Sequence, residues 1–210
     1  MERTSSNILI DMLPDTVMVN GAEYRIRSDF RTGIRFEEMV RGKGTDEEKI
    51  RGILRLYYPV IPEDIEGAIE AALCFYKCGD KRERKNKAAS QRRGKILYSF
   101  TQDAPYIFAA FLQQYGINLN RISADELHWW EFTALFEALG DNTLIREIMY
   151  YRNASLSGLS GKERQRILKM KEYYKLTDDE TIDAKTALAK RNAEMRAYLK
   201  KRIEETKMRK

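Results

Sequence analysis

The strongest apolar pattern in the chain lies at Leu127–Leu139, which reads LHWWEFTALFEAL. Nine of these thirteen residues are apolar, which is too many for a helix that buries one face and too few for a membrane span. The pattern therefore predicts a buried central helix. Ser123 and Glu126 have the spacing of a capping box at its start, and Gly140 is placed to end it in the left-handed conformation.

A second apolar stretch, Ala104–Tyr115, precedes this helix in the chain. Asp103 is placed to cap its first turn, and Gly116 is placed to end it. Because both stretches are too apolar for the protein surface, we expect the two helices to pack against each other and form the core.

A β-hairpin is predicted near the N-terminus. The runs Val17–Val19 and Glu23–Ile26 flank Asn20-Gly21, and this dipeptide tolerates the positive φ angles of a type I′ turn. A two-stranded ribbon is marginally stable by itself, so its apolar side chains must lie on the helical core.

The remaining periodicity predicts further helices. They run from Ser28 or Asp29 to about Arg41, from Thr45 to Tyr57 or Tyr58, from Pro62 to about Lys77, from Asn142 to Arg152, from Ser160 to Tyr174 and from Asp178 to about Glu205. Capping boxes are predicted at Thr45 with Glu48, Ser160 with Glu163 and Thr177 with Glu180. In the first of these helices, Phe30 and Ile34 are expected to face inward and Glu37 outward.

The chain is therefore predicted to be mainly α: a compact helical domain with a small N-terminal β-hairpin and a long C-terminal helix. Residues 1–12 are expected to be a loose N-terminus, residues 13–176 the helical domain, residues 80–95 a flexible basic connector within it, and residues 177–210 a C-terminal helical arm. The connector has no apolar residue larger than alanine, so it cannot bury enough surface to fold on its own.

The net charge of +6 is unevenly distributed. Residues 80–95 carry eight basic and two acidic side chains and residues 177–210 carry ten and seven, whereas residues 96–176 are balanced at nine and nine. The positive excess is thus predicted to lie in a connector and a tail rather than on a folded face. The connector also lacks aromatic residues that could stack on bases, which disfavours nucleic-acid binding.

Composition and motifs narrow the class of protein. The hydrophobic content of 43% is typical of a soluble globular protein, and neither a membrane span nor a secretion signal is predicted. Cys74 and Cys78, with a single histidine in the chain, are too few ligands for a closed zinc site. That histidine, His128, is interpreted as a satisfied polar core residue, since no nucleophile lies at a catalytic spacing. We expect no enzymatic activity, no metal and no cofactor.

Two regions are candidates for partner contact. Trp129 and Trp130 point about 100° apart on a helix, so one can lie in the core while the other reaches an interface. Core packing is favoured for the pair, and Trp129 is the candidate contact residue. The C-terminal helix is poor in apolar residues, which favours a projecting or docking role. Its candidate partner-binding side comprises Met195, Tyr198, Leu199 and Ile203.

Several stretches of the chain are distinctive as strings. They are Gly21–Met39 (GAEYRIRSDFRTGIRFEEM), the turn Tyr57-Tyr58-Pro59 with Ile61-Pro62, Ala72–Gly79 (ALCFYKCG), Tyr98–Leu119 (YSFTQDAPYIFAAFLQQYGINL), Leu127–Leu139 and Arg146–Asn153 (REIMYYRN). Over about residues 13–176 they resemble the bacteriophage gene-product-fifteen family. The strings FLQQYGI at Phe111–Ile117 and LHWW at Leu127–Trp130 are the most specific.

This resemblance implies a protein of tailed phages or prophages in Gram-positive hosts, encoded among the tail genes between the major tail protein and the tape-measure protein. It implies a tail assembly chaperone that acts in the host bacterial cytoplasm, holds the tape-measure protein soluble and recruits tail-tube subunits. A virion structural component, such as a connector or tail-completion protein, is the alternative, and a nucleic-acid-binding protein is a weaker one. The resemblance implies no catalytic or cofactor-binding residues. Whether the chain forms a homo-oligomer is left open.

Overall fold

The computed structural model describes residues 8–79, 96–123 and 126–176. Within these ranges two strands and seven helices follow one another: β1 Thr16–Val19, β2 Ala22–Arg25, α1 Phe30–Arg41, α2 Asp46–Tyr57, α3 Ile65–Tyr76, α4 Ala104–Tyr115, α5 Trp129–Glu137, α6 Leu144–Asn153 and α7 Gly161–Tyr173. The prediction of a mainly helical fold with an N-terminal hairpin is confirmed. The basic connector, the Thr177 capping box and the long C-terminal helix lie outside the described residues.

The hairpin forms as its central dipeptide predicts. β1 and β2 pair antiparallel, with Val19 opposite Ala22, and Asn20 and Gly21 join them with φ angles of 49° and 80°. Both angles are those of a type I′ turn. Val19 is 2% exposed, and its Cγ1 atom would lie 3.2 Å from a Cβ added to Gly67 of α3. The ribbon therefore lies on the helical core.

Short polar side chains begin the first three helices. Asp29 caps α1 through the Arg31 amide at 2.9 Å, and Asp64 caps α3 through an amide of its first turn at 3.0 Å. Thr45 and Glu48 form the predicted capping box of α2, with both reciprocal bonds present. These bonds satisfy amides that have no partner within a helix.

Glu37 of α1 is not on the outer face of its helix, contrary to the prediction. The residue is 8% exposed, and its side chain forms an ion pair with Arg41 one turn later and accepts a hydrogen bond from the Tyr76 hydroxyl of α3. The Tyr76 ring also packs on Phe36 of α1, with centroids 4.5 Å apart. A buried carboxylate is tolerated here because tertiary neighbours provide both a counter-charge and a donor.

Phe132 of α5 is the centre of the core and is fully buried. Its ring centroid lies 5.2 Å from that of Phe30, 5.0 Å from Phe111, 5.8 Å from Phe100, 5.7 Å from Trp129 and 6.2 Å from Phe136. This aromatic cluster joins α1, α4 and the approach to α4 to a single helix. The Tyr115 hydroxyl of α4 also donates to the Leu135 carbonyl at 2.8 Å. The predicted contact between the two most apolar helices is thus confirmed.

The predicted capping box would begin α5 directly after Ser123. The helix instead begins six residues after Ser123, at Trp129. The reason is a pairing with the chain before α1, in which the Phe30 amide donates to the Leu127 carbonyl at 3.1 Å and the Trp129 amide donates to the Ser28 carbonyl at 2.7 Å. These two bonds hold residue 128 in an extended conformation. A helix cannot run through that position, so tertiary pairing moves its start.

The other end of α5 also differs from the prediction. Ala138 is its C-cap, with a φ of −86°, and Gly140 is not among the described glycines that have a positive φ. The Gly140 amide instead donates to the Gln114 side chain at 2.8 Å. A side chain of α4, rather than a left-handed turn, therefore satisfies this backbone group. Gly116 does end α4 in the left-handed conformation, with a φ of 68°.

Asp103 occupies the N-cap position of α4 but does not cap the helix with its side chain. Its carboxylate accepts two bonds from the Arg152 guanidinium of α6, at 2.5 and 2.9 Å, and one from the Ser99 amide at 2.9 Å. Arg152 also donates to the carbonyls of Leu97 at 2.8 Å and Tyr174 at 2.6 Å. This buried pair joins α4, α6 and the chain after α7.

Candidate partner-binding surface

Trp129 lies in the core and not on a surface where a partner could reach it. It is 2% exposed, and a Cβ added to Gly33 of α1 would lie 2.1 Å from its ring, so glycine is required for this close approach. Its indole N–H donates to the Tyr76 carbonyl at 2.8 Å. The Trp130 N–H donates to the Phe75 carbonyl at the same distance. The adjacent indoles thus satisfy two carbonyls at the end of α3.

The other predicted contact residues, Met195, Tyr198, Leu199 and Ile203, lie outside the described residues.

Both ring nitrogens of His128 have hydrogen-bond partners, as expected of a residue that caps a helix. Its Nδ1 accepts from the Trp130 amide at 3.0 Å, and its Nε2 lies 3.1 Å from the Pro14 carbonyl, which requires a proton on Nε2. Glu131 completes a capping box by accepting from the His128 amide at 2.9 Å. Burial lowers the pKa of His128 below its ordinary 6.5. A neutral imidazole with both nitrogens engaged is suited to holding α5 in place.

Neither cysteine lies in a cluster of metal ligands. Cys74 and Cys78 are half-buried, and the Cys78 Sγ lies 3.3 Å from the Thr133 Oγ1. Across residues 8–79, 96–123 and 126–176, no group of three or more histidine, cysteine, aspartate or glutamate side chains is placed to hold a metal ion. Among the helices described, none has the length and apolar character to cross a membrane.

A cleft of about 340 Å³ lies between the end of α1 and the start of the chain that leads to α4. Its polar lining is largely engaged within the protein: Glu37 with Arg41, and Glu38 with the Thr101 hydroxyl at 3.2 Å. The cleft therefore offers few unsatisfied groups to a ligand.

A cluster of tyrosines covers the junction of α4, α6 and α7, and we call it the tyrosine cluster. Its members are Tyr106, Tyr150, Tyr151, Tyr173 and Tyr174. The ring centroids of Tyr150 and Tyr151 are 5.6 Å apart, those of Tyr151 and Tyr174 are 6.4 Å apart, those of Tyr173 and Tyr174 are 4.8 Å apart, and those of Tyr106 and Tyr174 are 6.3 Å apart. Tyr150 is 60% exposed and Tyr173 is 76% exposed.

The tyrosine cluster is held by hydrogen bonds beneath it. The Tyr151 hydroxyl donates to Glu147 at 2.7 Å, and Arg152 holds the Tyr174 carbonyl at 2.6 Å. The bond to Glu147 raises the pKa of Tyr151, and desolvation raises that of Tyr174. Both rings are therefore neutral at physiological pH. The exposed Tyr150 and Tyr173 rings rest on neighbours whose positions are fixed.

α7 carries a line of basic side chains beside this cluster. Lys162, Arg166 and Lys169 are exposed and are followed by Tyr173, at the i, i+4, i+7 and i+11 spacing that places side chains on one side of a helix. We call the three cations the basic stripe. An Arg166 Nη atom lies 3.5 Å from the Tyr151 hydroxyl, so the basic stripe and the tyrosine cluster form one continuous surface.

The charge count by sequence window missed the basic stripe. Residues 161–176 contain six basic and two acidic side chains, whereas residues 96–153 contain three basic and seven acidic ones. When the two segments are counted in one window, the positive charge of the first cancels the negative charge of the second. A group of basic residues therefore lies on α7 and just after it, within a stretch, residues 96–176, whose total charge is balanced. A count made helix by helix would have found them.

The described chain is thus a mainly helical domain with an exposed surface of tyrosine, lysine and arginine. It belongs to the family described as Bacteriophage Gp15 protein, which residues 9–176 match. This match confirms the resemblance inferred from the sequence and places α7 inside the family's range. The chain has no significant match among curated proteins or among solved structures.

Proposed function

We propose that this chain is a phage tail morphogenesis protein that acts by binding and not by catalysis. More specifically, we propose a tail assembly chaperone that binds the tape-measure protein and the tail-tube protein in the host bacterial cytoplasm. Support for the phage context comes from membership of the Bacteriophage Gp15 protein family. The chaperone role rests on the analogy that the family resemblance implies.

The observation that carries a binding role is the exposed part of the tyrosine cluster. Tyr150 and Tyr173 are 60% and 76% exposed, yet both rings pack against a neighbouring tyrosine. Tyrosine is enriched at binding hot spots because a large ring with few rotatable bonds gains contact area at low entropic cost. Two such rings on a fixed base are a suitable anchor for a protein partner.

Co-expression with the tail proteins tests this role. We expect the tape-measure protein to stay soluble and to co-purify with this chain, and to be insoluble when expressed by itself. The double variant Tyr150→Ser/Tyr173→Ser should weaken co-purification. Met18→Ser is the matched control, because Met18 is 61% exposed on the hairpin. An insoluble tape-measure protein in the presence of the wild-type chain would contradict the chaperone role.

The virion itself separates a chaperone from a structural part. Quantitative mass spectrometry of purified phage particles and of the infected lysate should find this chain in the lysate and not in the particles. A stoichiometric amount in the particles would instead support a connector or tail-completion protein.

We also propose that the C-terminal arm contributes to binding through Met195, Tyr198, Leu199 and Ile203. The support is compositional, since these are among the few large apolar residues of residues 177–210. Leu199→Glu with Ile203→Glu in the full chain should reduce the amount of soluble tape-measure protein. Unchanged solubility would remove the arm from the proposal.

A further inference from the structure

We infer that the basic stripe and Tyr173 dock an acidic helical segment of the protein partner. This inference rests on the proposed function, since it names the chemistry that a tail-protein partner would present at the surface described above. The occupant is a helix with carboxylates on one side and an apolar residue beyond them.

The spacing of the stripe defines the shape of the occupant. Eleven residues separate Lys162 from Tyr173, which is about 16 Å along a helix axis at 1.5 Å per residue. Three cations on one side of α7 match carboxylates repeated at i, i+4 and i+7 on a second helix packed alongside. Tyr173 follows them and supplies the apolar contact, with its ring set nearly perpendicular to that of Tyr174, at 88°.

The cations of the stripe are available for an external partner. Within the described part of the chain, the ammonium groups of Lys162 and Lys169 have no carboxylate at ion-pair distance. Arg166 contacts the Tyr151 hydroxyl, which is a neutral group. A partner carboxylate would therefore displace water rather than an existing ion pair, and its attraction would guide association.

An acidic protein fits this surface better than nucleic acid does. Three cations on a convex helix can neutralise only a few phosphates. Non-specific nucleic-acid binding becomes stronger as the number of neutralised phosphates grows, so it would be weak here. Glu163 and Glu172 of the same helix are exposed and would repel a phosphate backbone on either side. A helix with spaced carboxylates can pair with the stripe and avoid both glutamates.

The test is a charge reversal in the full chain, Lys162→Glu/Lys169→Glu. We expect its affinity for the co-purified tail protein to fall at least about tenfold, with a smaller salt dependence, since two repulsive contacts replace two attractive ones. Arg25→Glu/Arg35→Glu is the matched control: it changes the charge equally at exposed positions of the hairpin and α1 and should leave affinity unchanged. Lys162→Arg/Lys169→Arg should retain binding.

A synthetic helical peptide with glutamates at i, i+4 and i+7 tests the same surface without a tail protein. Wild-type chain should bind it, and the Lys162→Glu/Lys169→Glu variant should not. A tail-protein complex that forms but is insensitive to the reversal would overturn this inference and leave the proposed function intact. No complex, together with stripe-dependent peptide binding, would overturn the proposed function alone. Tighter stripe-dependent binding of duplex DNA than of the peptide would overturn the acidic-helix inference.

Discussion

His128 links the stability of the fold to pH. It caps α5 through Nδ1, which must be unprotonated to accept from the Trp130 amide at 3.0 Å. Its pKa is lowered in the folded state, chiefly by desolvation. The unfolded chain therefore takes up a proton more readily as the pH falls through 6.5, and folding stability decreases there.

We expect the free energy of unfolding to fall between pH 7 and pH 5 by no more than about 1.4 kcal/mol per pH unit for this one group. His128→Asn keeps an N-cap acceptor and does not titrate, so it should flatten the pH dependence. Urea unfolding at several pH values measures both variants. An equal slope in His128→Asn would assign the effect to other groups.

Tyr57 and Tyr58 differ in how their buried hydroxyls are satisfied. The Tyr58 hydroxyl donates to the Ala68 carbonyl at 2.7 Å, whereas that of Tyr57 has no hydrogen-bond partner among the described residues. A buried polar group without a partner costs about 1–3 kcal/mol. Burial also raises the pKa of Tyr57, so it stays neutral.

Tyr57→Phe should therefore raise the free energy of unfolding, by about 1 kcal/mol, because it removes a buried unsatisfied hydroxyl. Tyr58→Phe is the matched comparison and should lower it by about 1 kcal/mol, since it removes the hydrogen bond from the Tyr58 hydroxyl to the Ala68 carbonyl. Thermal unfolding of both variants measures the difference. Destabilisation of equal size in both would mean that the Tyr57 hydroxyl has a partner.

At the scale of elements, the Asp103–Arg152 pair determines how α4 and α6 meet. Asp103 is 1% exposed and Arg152 is 6% exposed, so neither charge is compensated by water. Breaking such a pair leaves one buried charge without its partner, which costs about 3–5 kcal/mol.

Asp103→Asn should lower the free energy of unfolding by about 3 kcal/mol. Asp103→Leu/Arg152→Met should recover part of that loss, because it leaves no buried charge. Arg51→Ala is the control: its pair with Glu47 at 3.1 Å is exposed and is worth less than about 0.5 kcal/mol. The midpoints of urea unfolding would rank the stabilities of these three variants. Equal losses of stability for Asp103→Asn and Arg51→Ala would show that the buried pair contributes no more than the exposed pair.

At the scale of the whole molecule, one core spans both sides of residues 80–95. Phe132 stacks on Phe30 at 5.2 Å, and the indoles of Trp129 and Trp130 bond to the end of α3 at 2.8 Å. Contacts of this kind are those of a single domain, not of two domains joined by a linker.

A specific protease site inserted between Ala88 and Ala89 tests whether the two sides of the chain share one core. After cleavage, the two fragments should elute together in native buffer and separate in denaturant, because the shared core and not the backbone joins them. Size-exclusion chromatography with mass spectrometry reads the result. Separate elution in native buffer would show that the two halves do not share a core.

The sequence alone determined those features whose cause is local. The Asn20-Gly21 turn, the Thr45 capping box and the left-handed Gly116 depend on residues within a few positions, and each forms as predicted. The apolar strings also identified the two central helices and the family. The core position of the tryptophan pair followed from the same apolar pattern.

Tertiary structure decided whatever depends on a distant neighbour. The start of α5 depends on strand-like pairing with residues 28–30, the burial of Glu37 depends on Tyr76, and Asp103 binds Arg152 instead of its own helix. The surface beside the tyrosine cluster likewise exists because α6 and α7 pack together. Local rules fix which groups need partners, but only packing in three dimensions decides which groups meet them, since the most favourable partner is often far along the chain.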